Sequence, residues 1–177
     1  MSRVDQPDSN DGEDNAAGND GAMTVDSVMI PTETAHAGMA VRELFDICGR
    51  DHVQALPFTD AEGRITGRVT LKNILRVSCL PEYIVAMAPV LHSKLSCVES
   101  AEDKAREIIC NPIEPYVQGP HQSISSDAPL IKALALMEKE DTSYIFVVDE
   151  GAFKGVITIQ GIAAKMSELA VCGPGSE

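Results

Sequence analysis

The sequence predicts an α/β protein made of two βαββα units packed with pseudo-two-fold symmetry and joined by a helical linker. Three observations carry this prediction. A stripe of apolar residues at helical spacing occurs twice. Each stripe is followed by two apolar strands around an acidic, Gly-containing turn. The second strand of each pair then runs through Gly and Thr into another apolar helical stripe.

The first copy is the stretch from Ala40 to Leu75 and the second the stretch from Pro129 to Ala163. Val41, Leu44, Phe45 and Cys48 stand at i, i+3, i+4 and i+7, as do Leu130, Ala133, Leu134 and Met137, so each set forms one face of a helix. An apolar strand follows in each copy, Ala55–Phe58 and Tyr144–Val148. The turns Asp60-Ala61-Glu62-Gly63 and Asp149-Glu150-Gly151 are short enough to make hairpins. The return strands pass Gly67 and Thr70, or Gly155 and Thr158. The closing helices carry Leu71, Ile74 and Leu75, or Ile159, Ile162, Ala163 and Met166. An opening strand is expected near Thr32–His36 and another near Gln122–Ser126. A unit of roughly 55 residues buries too little surface to be robust alone, so the two copies are expected to pack together.

The expected organisation is an acidic disordered tail over 1–22, a first repeat over 23–77, a helical linker over 78–113, a second repeat over 114–170 and a short tail over 171–177. The tail assignment rests on its Asp, Asn, Gly and Ser content, which offers little to offset the entropy of ordering. In the linker, Glu82–Met87 and Ala101–Cys110 read as helices. Ser100 is a suitable N-cap for the second of these, with Asp103 three residues on.

With 44% hydrophobic residues the chain can bury a core, and its net charge of −13 argues against a nucleic-acid or anionic-membrane surface. The five Cys are unevenly spaced without a CxxC pair, which speaks against a disulfide framework or zinc site and for reduced residues of a cytoplasmic protein. No apolar run is long enough to span a bilayer, and the N-terminal residues lack the basic and apolar regions of a signal peptide. His36, His52, His92 and His121 match no metal-ligand spacing, so neither metal nor cofactor is expected. The motifs of serine hydrolases, zinc peptidases and P-loop proteins are missing. Glu138 and Glu140 read as charge on a helix surface.

Two segments define a family resemblance: Leu56-Pro57-Phe58-Thr59-Asp60 with Gly63 to Leu75, and Phe146 to Gly151 with Gly155 to Ile162. The repeated pattern resembles the CBS domain, two of which in tandem form a Bateman module. The resemblance implies a non-catalytic, regulatory module that binds AMP, ADP or ATP between the repeats, forms a homodimer and passes its ligand state to a partner protein. It also implies that the adenine lies against the first strand and the strand opening at Ala55 and Pro57, with His36 near its edge. The hydroxyl of Thr70 or Thr158 would meet phosphate, with Arg68 or Lys72 in reach of a polyphosphate and Lys154 in a similar place in the second copy.

Physical chemistry supports the phosphate role, since Thr70 stands where a strand gives way to a helix whose free N–H groups favour an anion. The chain departs from the family pattern three residues later, where a carboxylate usually holds the ribose. Asn73 stands there in the first copy and Gly161 in the second. The Thr70 cleft is therefore the expected site and the Thr158 cleft the weaker one. A ligand-free dimerising adaptor is the first alternative reading. A binder of an S-adenosylmethionine-type ligand is the second.

Overall fold

The computed structural model describes residues 23–80, 86, 101–119 and 122–169. The first repeat comprises β1 (Ala35–His36), α1 (Val41–Asp51), β2 (Ala55–Thr59), β3 (Ile65–Thr70) and α2 (Leu71–Cys79). A helix α3 (Ala101–Ile108) and a 3-10 turn (Glu114–Tyr116) lead to the second repeat. That repeat comprises β4 (Ser123–Ile124), α4 (Leu130–Lys139), β5 (Tyr144–Asp149), β6 (Ala152–Thr158) and α5 (Ile159–Leu169). The opening strands are each two residues long, shorter than the sequence suggests. The linker helix ends two residues before Cys110. Ser100 and, apart from the helical Ala86, the segment Glu82–Met87 lie outside the described residues, as do both tails.

Each repeat holds one three-stranded sheet, ordered β1-β2-β3 or β4-β5-β6. The first pair in each is parallel and the second antiparallel. The registers correspond: Ala55 faces Thr70 as Tyr144 faces Thr158, and both central strands shift register near their ends. Pro57 is tolerated in a central strand because β1 pairs only with Phe58 and Thr59, leaving one side of β2 open beside it. The hairpins turn where expected. Gly63 supplies a positive φ of 77°, and Asp60 accepts from the backbone N–H groups of Glu62 and Arg64.

Alternation along β5 sets how the repeats pack. Tyr144 and Phe146 join Val156 in a core shared with Leu44, Leu56, Val69 and Ile74 of the first repeat. Ile145 and Val147 face the other way, onto Leu130, Ala133, Met137 and Ile162 of their own helices. The chain also crosses between the sheets. Residues ahead of β1 pair with the second repeat: Ile30 and Val156 exchange both backbone hydrogen bonds, at 2.8 and 2.9 Å. Residues ahead of β4 pair with the first: Arg68 and Gln118 exchange theirs at 3.0 and 2.9 Å.

Helix α1 buries Val41, Leu44, Ile47 and Cys48 and ends at His52, which takes the left-handed conformation. Burial pushes the Cys48 thiol up to about 12, with the Asp51 carboxylate adding to the shift. A thiolate is needed for reaction with alkylating reagents. Iodoacetamide at pH 8 is therefore expected to label exposed Cys110 and to leave Cys48 unmodified until the chain is unfolded. Peptide mapping checks this, and equal labelling of both in the native protein would contradict the burial of α1.

Candidate functional site: a cleft between the repeats

The strand–helix junction at Thr70 opens into a cavity of about 460 Å³. This lies within the usual range of small-molecule sites, roughly 300–1,000 Å³. Gln54, Arg68, Thr70, Leu71, Lys72, Asn73 and Arg76 line it from the first repeat. Gln118 and the segment Glu140–Tyr144 line it from the second. Gln118 is there because of the backbone exchange with Arg68. Residues 140–144 are there because α4 ends at this face and the chain reverses through Asp141, at a φ of 48°. The Ser143 hydroxyl donates to Gln54 Oε1 at 2.5 Å, tying the two walls together.

Thr70 is extended and caps α2, its hydroxyl oxygen accepting from the Asn73 N–H at 3.0 Å. The Leu71 N–H goes to the Gln54 carbonyl at 3.0 Å. The Lys72 N–H, in the first turn, has no intrahelical acceptor. Because the Thr70 oxygen accepts within the cap, its O–H proton remains for a group in the cleft. Asn73 is only 9% exposed. Its Nδ2 donates to the Tyr116 carbonyl at 3.0 Å, and its Oδ1 accepts from Arg76 Nη2 at 3.2 Å. Arg68 Nη1 reaches the Gly119 carbonyl at 3.3 Å. Burial raises the Tyr144 phenol, against the opposing effect of the Arg68 cation. Three cations, Arg68, Lys72 and Arg76, thus stand on one wall, with Glu140 and Asp141 on the other.

Four of the expected residues, Arg68, Thr70, Lys72 and Asn73, meet in this cleft. Ala55 and Pro57 pair with Thr70 and Arg68 across the β2–β3 ladder but do not line the cavity; Ala55 is fully buried, and Gln54 stands at the wall instead. His36 does lie on the first strand, but β1 and β3 are opposite edges of the sheet. Two strand spacings of roughly 4.8 Å each therefore separate it from the strand carrying Thr70. It is exposed, with its Nδ1 at 3.0 Å from the Ala37 carbonyl. Arg76 was legible in principle, since it follows Asn73 by three residues on one helix face. Gln118 was not, because no local pattern pairs it with β3.

Thr158 repeats the cap, accepting from the Gly161 N–H at 3.1 Å, and is 2% exposed. Where the first repeat has Arg68, Lys72, Asn73 and Arg76, the second has Val156, Gln160, Gly161 and Ala164. Every cation of the first junction is replaced by a neutral residue in the second. A Cβ at Gly161 would stand 3.5 Å from the Val28 carbonyl, the counterpart of the Tyr116 carbonyl that holds Asn73. Among the described residues no group of three or more His, Cys, Asp or Glu could hold a metal ion, and no helix is long and apolar enough to cross a membrane.

A family model for the CBS domain matches residues 24–79 and 106–168, well over half of the chain. The chain belongs to the CBS domain family. Its two matches make it a CBS pair, a regulatory, ligand-binding type of module. The CBS domain pair of protein MJ0100, solved in complex with 5′-methylthioadenosine and S-adenosyl-L-methionine, is similar at a TM-score of 0.58 and 19% identity. That match covers 84% of this chain and 99% of the other. A putative acetoin utilization protein (AcuB) from Vibrio cholerae is similar at 0.57 and 16% identity, covering 87% and 99%. Protein MJ1004 from M. jannaschii is similar at 0.58 and 14% identity over 83% of this chain, which spans 60% of that longer one. At these identities the likeness establishes the CBS-pair fold. Comparison with curated proteins yielded no match.

Proposed function

We propose that this CBS pair binds an adenine nucleotide, AMP, ADP or ATP, in the Thr70 cleft and relays its presence to a partner protein without catalysing a reaction. The observation that carries the reading is the capped N-terminus of α2, whose Thr70 and Lys72 line a cavity together with Arg68. Such a junction binds phosphate through backbone donors, a hydroxyl and nearby cations together. In this reading the 5′-phosphate lies at Thr70 and the ribose at Asn73, one turn further along α2. The Thr158 junction lacks the cations and is the weaker site.

The complex of MJ0100 with two adenosyl compounds favours a second reading, an S-adenosylmethionine-type ligand. Of the five charged residues lining the cleft, the three cations Arg68, Lys72 and Arg76 share the wall that carries the Thr70 cap, opposite Glu140 and Asp141, so the Thr70 side favours phosphate over a sulfonium.

Calorimetric titration tests both readings. Thr70→Val and Thr158→Val each remove one helix cap and are expected to lose about 1 kcal/mol of stability. Only Thr70→Val is expected to weaken AMP, ADP or ATP, by roughly tenfold, the size of one lost hydrogen bond to a charged group. Equal weakening by both variants would overturn the one-sided site. Binding of S-adenosylmethionine alone would select the second reading, and no heat from any ligand with folded protein would select a ligand-free adaptor.

A further inference from the structure

We propose that the ribose side of the Thr70 cleft is built for a second phosphate, carried on the 2′- or 3′-hydroxyl, and not for a free ribose diol. The inference rests on the orientation given under the proposed function, with the 5′-phosphate at Thr70 and the ribose at Asn73.

A free diol has two O–H donors and is best met by a carboxylate, which only accepts. Asn73 has one accepting oxygen, and one of its two lone pairs already takes the Arg76 Nη2 hydrogen at 3.2 Å, which leaves a single acceptor position for the two hydroxyl protons. Its Nδ2 is held by the Tyr116 carbonyl at 3.0 Å. Turning the amide over would set oxygen against the Tyr116 carbonyl and N–H against the guanidinium, so the network fixes its direction. The carbonyl cannot easily retreat. The Tyr116 N–H is bonded to the Ile113 carbonyl at 2.9 Å, and its phenol to the Ser78 hydroxyl at 3.0 Å.

The next group along α2 is the Arg76 guanidinium, which lines the same cavity. It carries five N–H donors and no acceptor, a match for phosphate oxygens and a poor one for hydroxyl protons. The amide oxygen of Asn73 positions it as an uncharged acceptor and so does not neutralise it. Thr70 and Arg76 are six residues apart, an axial rise of roughly 9 Å, and helical side chains lean back toward the N-terminus. Two anion-binding points therefore bracket Asn73, where the ribose lies. The second repeat, with Gly161 and Ala164, has neither part of this arrangement.

A second phosphate can also come from a 5′-polyphosphate chain, so the test includes both sources. The full chain is titrated with AMP, ADP, ATP, adenosine 2′,5′-bisphosphate and adenosine 3′,5′-bisphosphate. One bisphosphate is expected to bind at least about tenfold tighter than AMP, since a hydrogen bond to a charged group contributes roughly 1.5–3 kcal/mol. Arg76→Gln is expected to remove that advantage while weakening AMP far less. AMP binding as tightly as both bisphosphates, or a preference that survives Arg76→Gln, would overturn the inference and leave the nucleotide reading standing. ATP tighter than both bisphosphates and dependent on Arg76 would also overturn it, assigning the second phosphate to the 5′ chain. If none of the five binds to folded protein, the nucleotide reading fails and takes the inference with it.

Discussion

Phe146→Ala is expected to cost about 3–5 kcal/mol of folding stability, as large-to-small changes of buried aromatic residues do. Phe146 is 1% exposed and sits in the middle of the central strand of its sheet. Its ring meets Phe153 edge-on, with centroids 6.0 Å apart at 85°, and Tyr144 at 5.5 Å. The neighbours that matter most belong to the other repeat, because Phe146 shares a core with Leu44, Leu56, Val69 and Ile74. Truncation leaves a cavity at the plane where the repeats meet, and neither sheet can close it without shifting against the other. Equilibrium urea unfolding measures the loss. A change below about 1 kcal/mol would mean that the shared core is not continuous across the two sheets.

Gly67→Ala is expected to be nearly as damaging, for the opposite reason. A Cβ at Gly67 would stand 2.5 Å from the Gln118 carbonyl oxygen and 2.8 Å from Val117 Cγ1. The nearer clash is with backbone, which no side-chain rotation relieves. Overpacking of this kind costs typically about 1–3 kcal/mol, sometimes more. The variant also has a consequence for the cleft. Displacing Gln118 breaks its backbone exchange with Arg68 and pulls one wall away from Thr70. Gly155→Ala is the matched control, since its Cβ would stand 2.5 Å from the Ile30 carbonyl oxygen at the crossing in the other half of the molecule. Similar destabilisation is expected from both, with nucleotide affinity lost only in Gly67→Ala. Thermal unfolding and calorimetry on the two proteins separate the effects. Loss of affinity in Gly155→Ala to the same degree would show that stability, not wall geometry, controls binding.

These two positions mark how far local pattern reaches. The apolar stripes of α1 and α4, the hairpins after Asp60 and Asp149 and the Thr caps of α2 and α5 all follow from residues within one or two turns of each other. Helical spacing, alternation, turn chemistry and capping are properties of short stretches, and the chain states them twice. The family pattern rests on the same short stretches, which is why the CBS pair is legible in the sequence alone. Thr70, Lys72 and Asn73 are legible as a group for the same reason, lying close together along one strand–helix junction.

Gln118 shows where that reasoning ends. His36 sits on the expected strand, but the order β1-β2-β3 carries it to the far edge from Thr70. Gln118 lies 48 residues beyond Thr70 in the numbering, yet forms part of the same cavity because the segment ahead of β4 crosses to β3. Asn73 stands out in the sequence as a residue where a carboxylate is usual; that its amide is held between Tyr116 and Arg76 depends on the same crossing. By itself, then, the sequence determined the repeated unit, the strand–helix junction with its hydroxyl and cations, and the difference between the two copies. Only the tertiary structure decided which segments close the cleft and which polar atoms remain for a ligand. Those choices rest on edge pairing and shared core packing between distant residues, and periodicity along the chain carries no record of them.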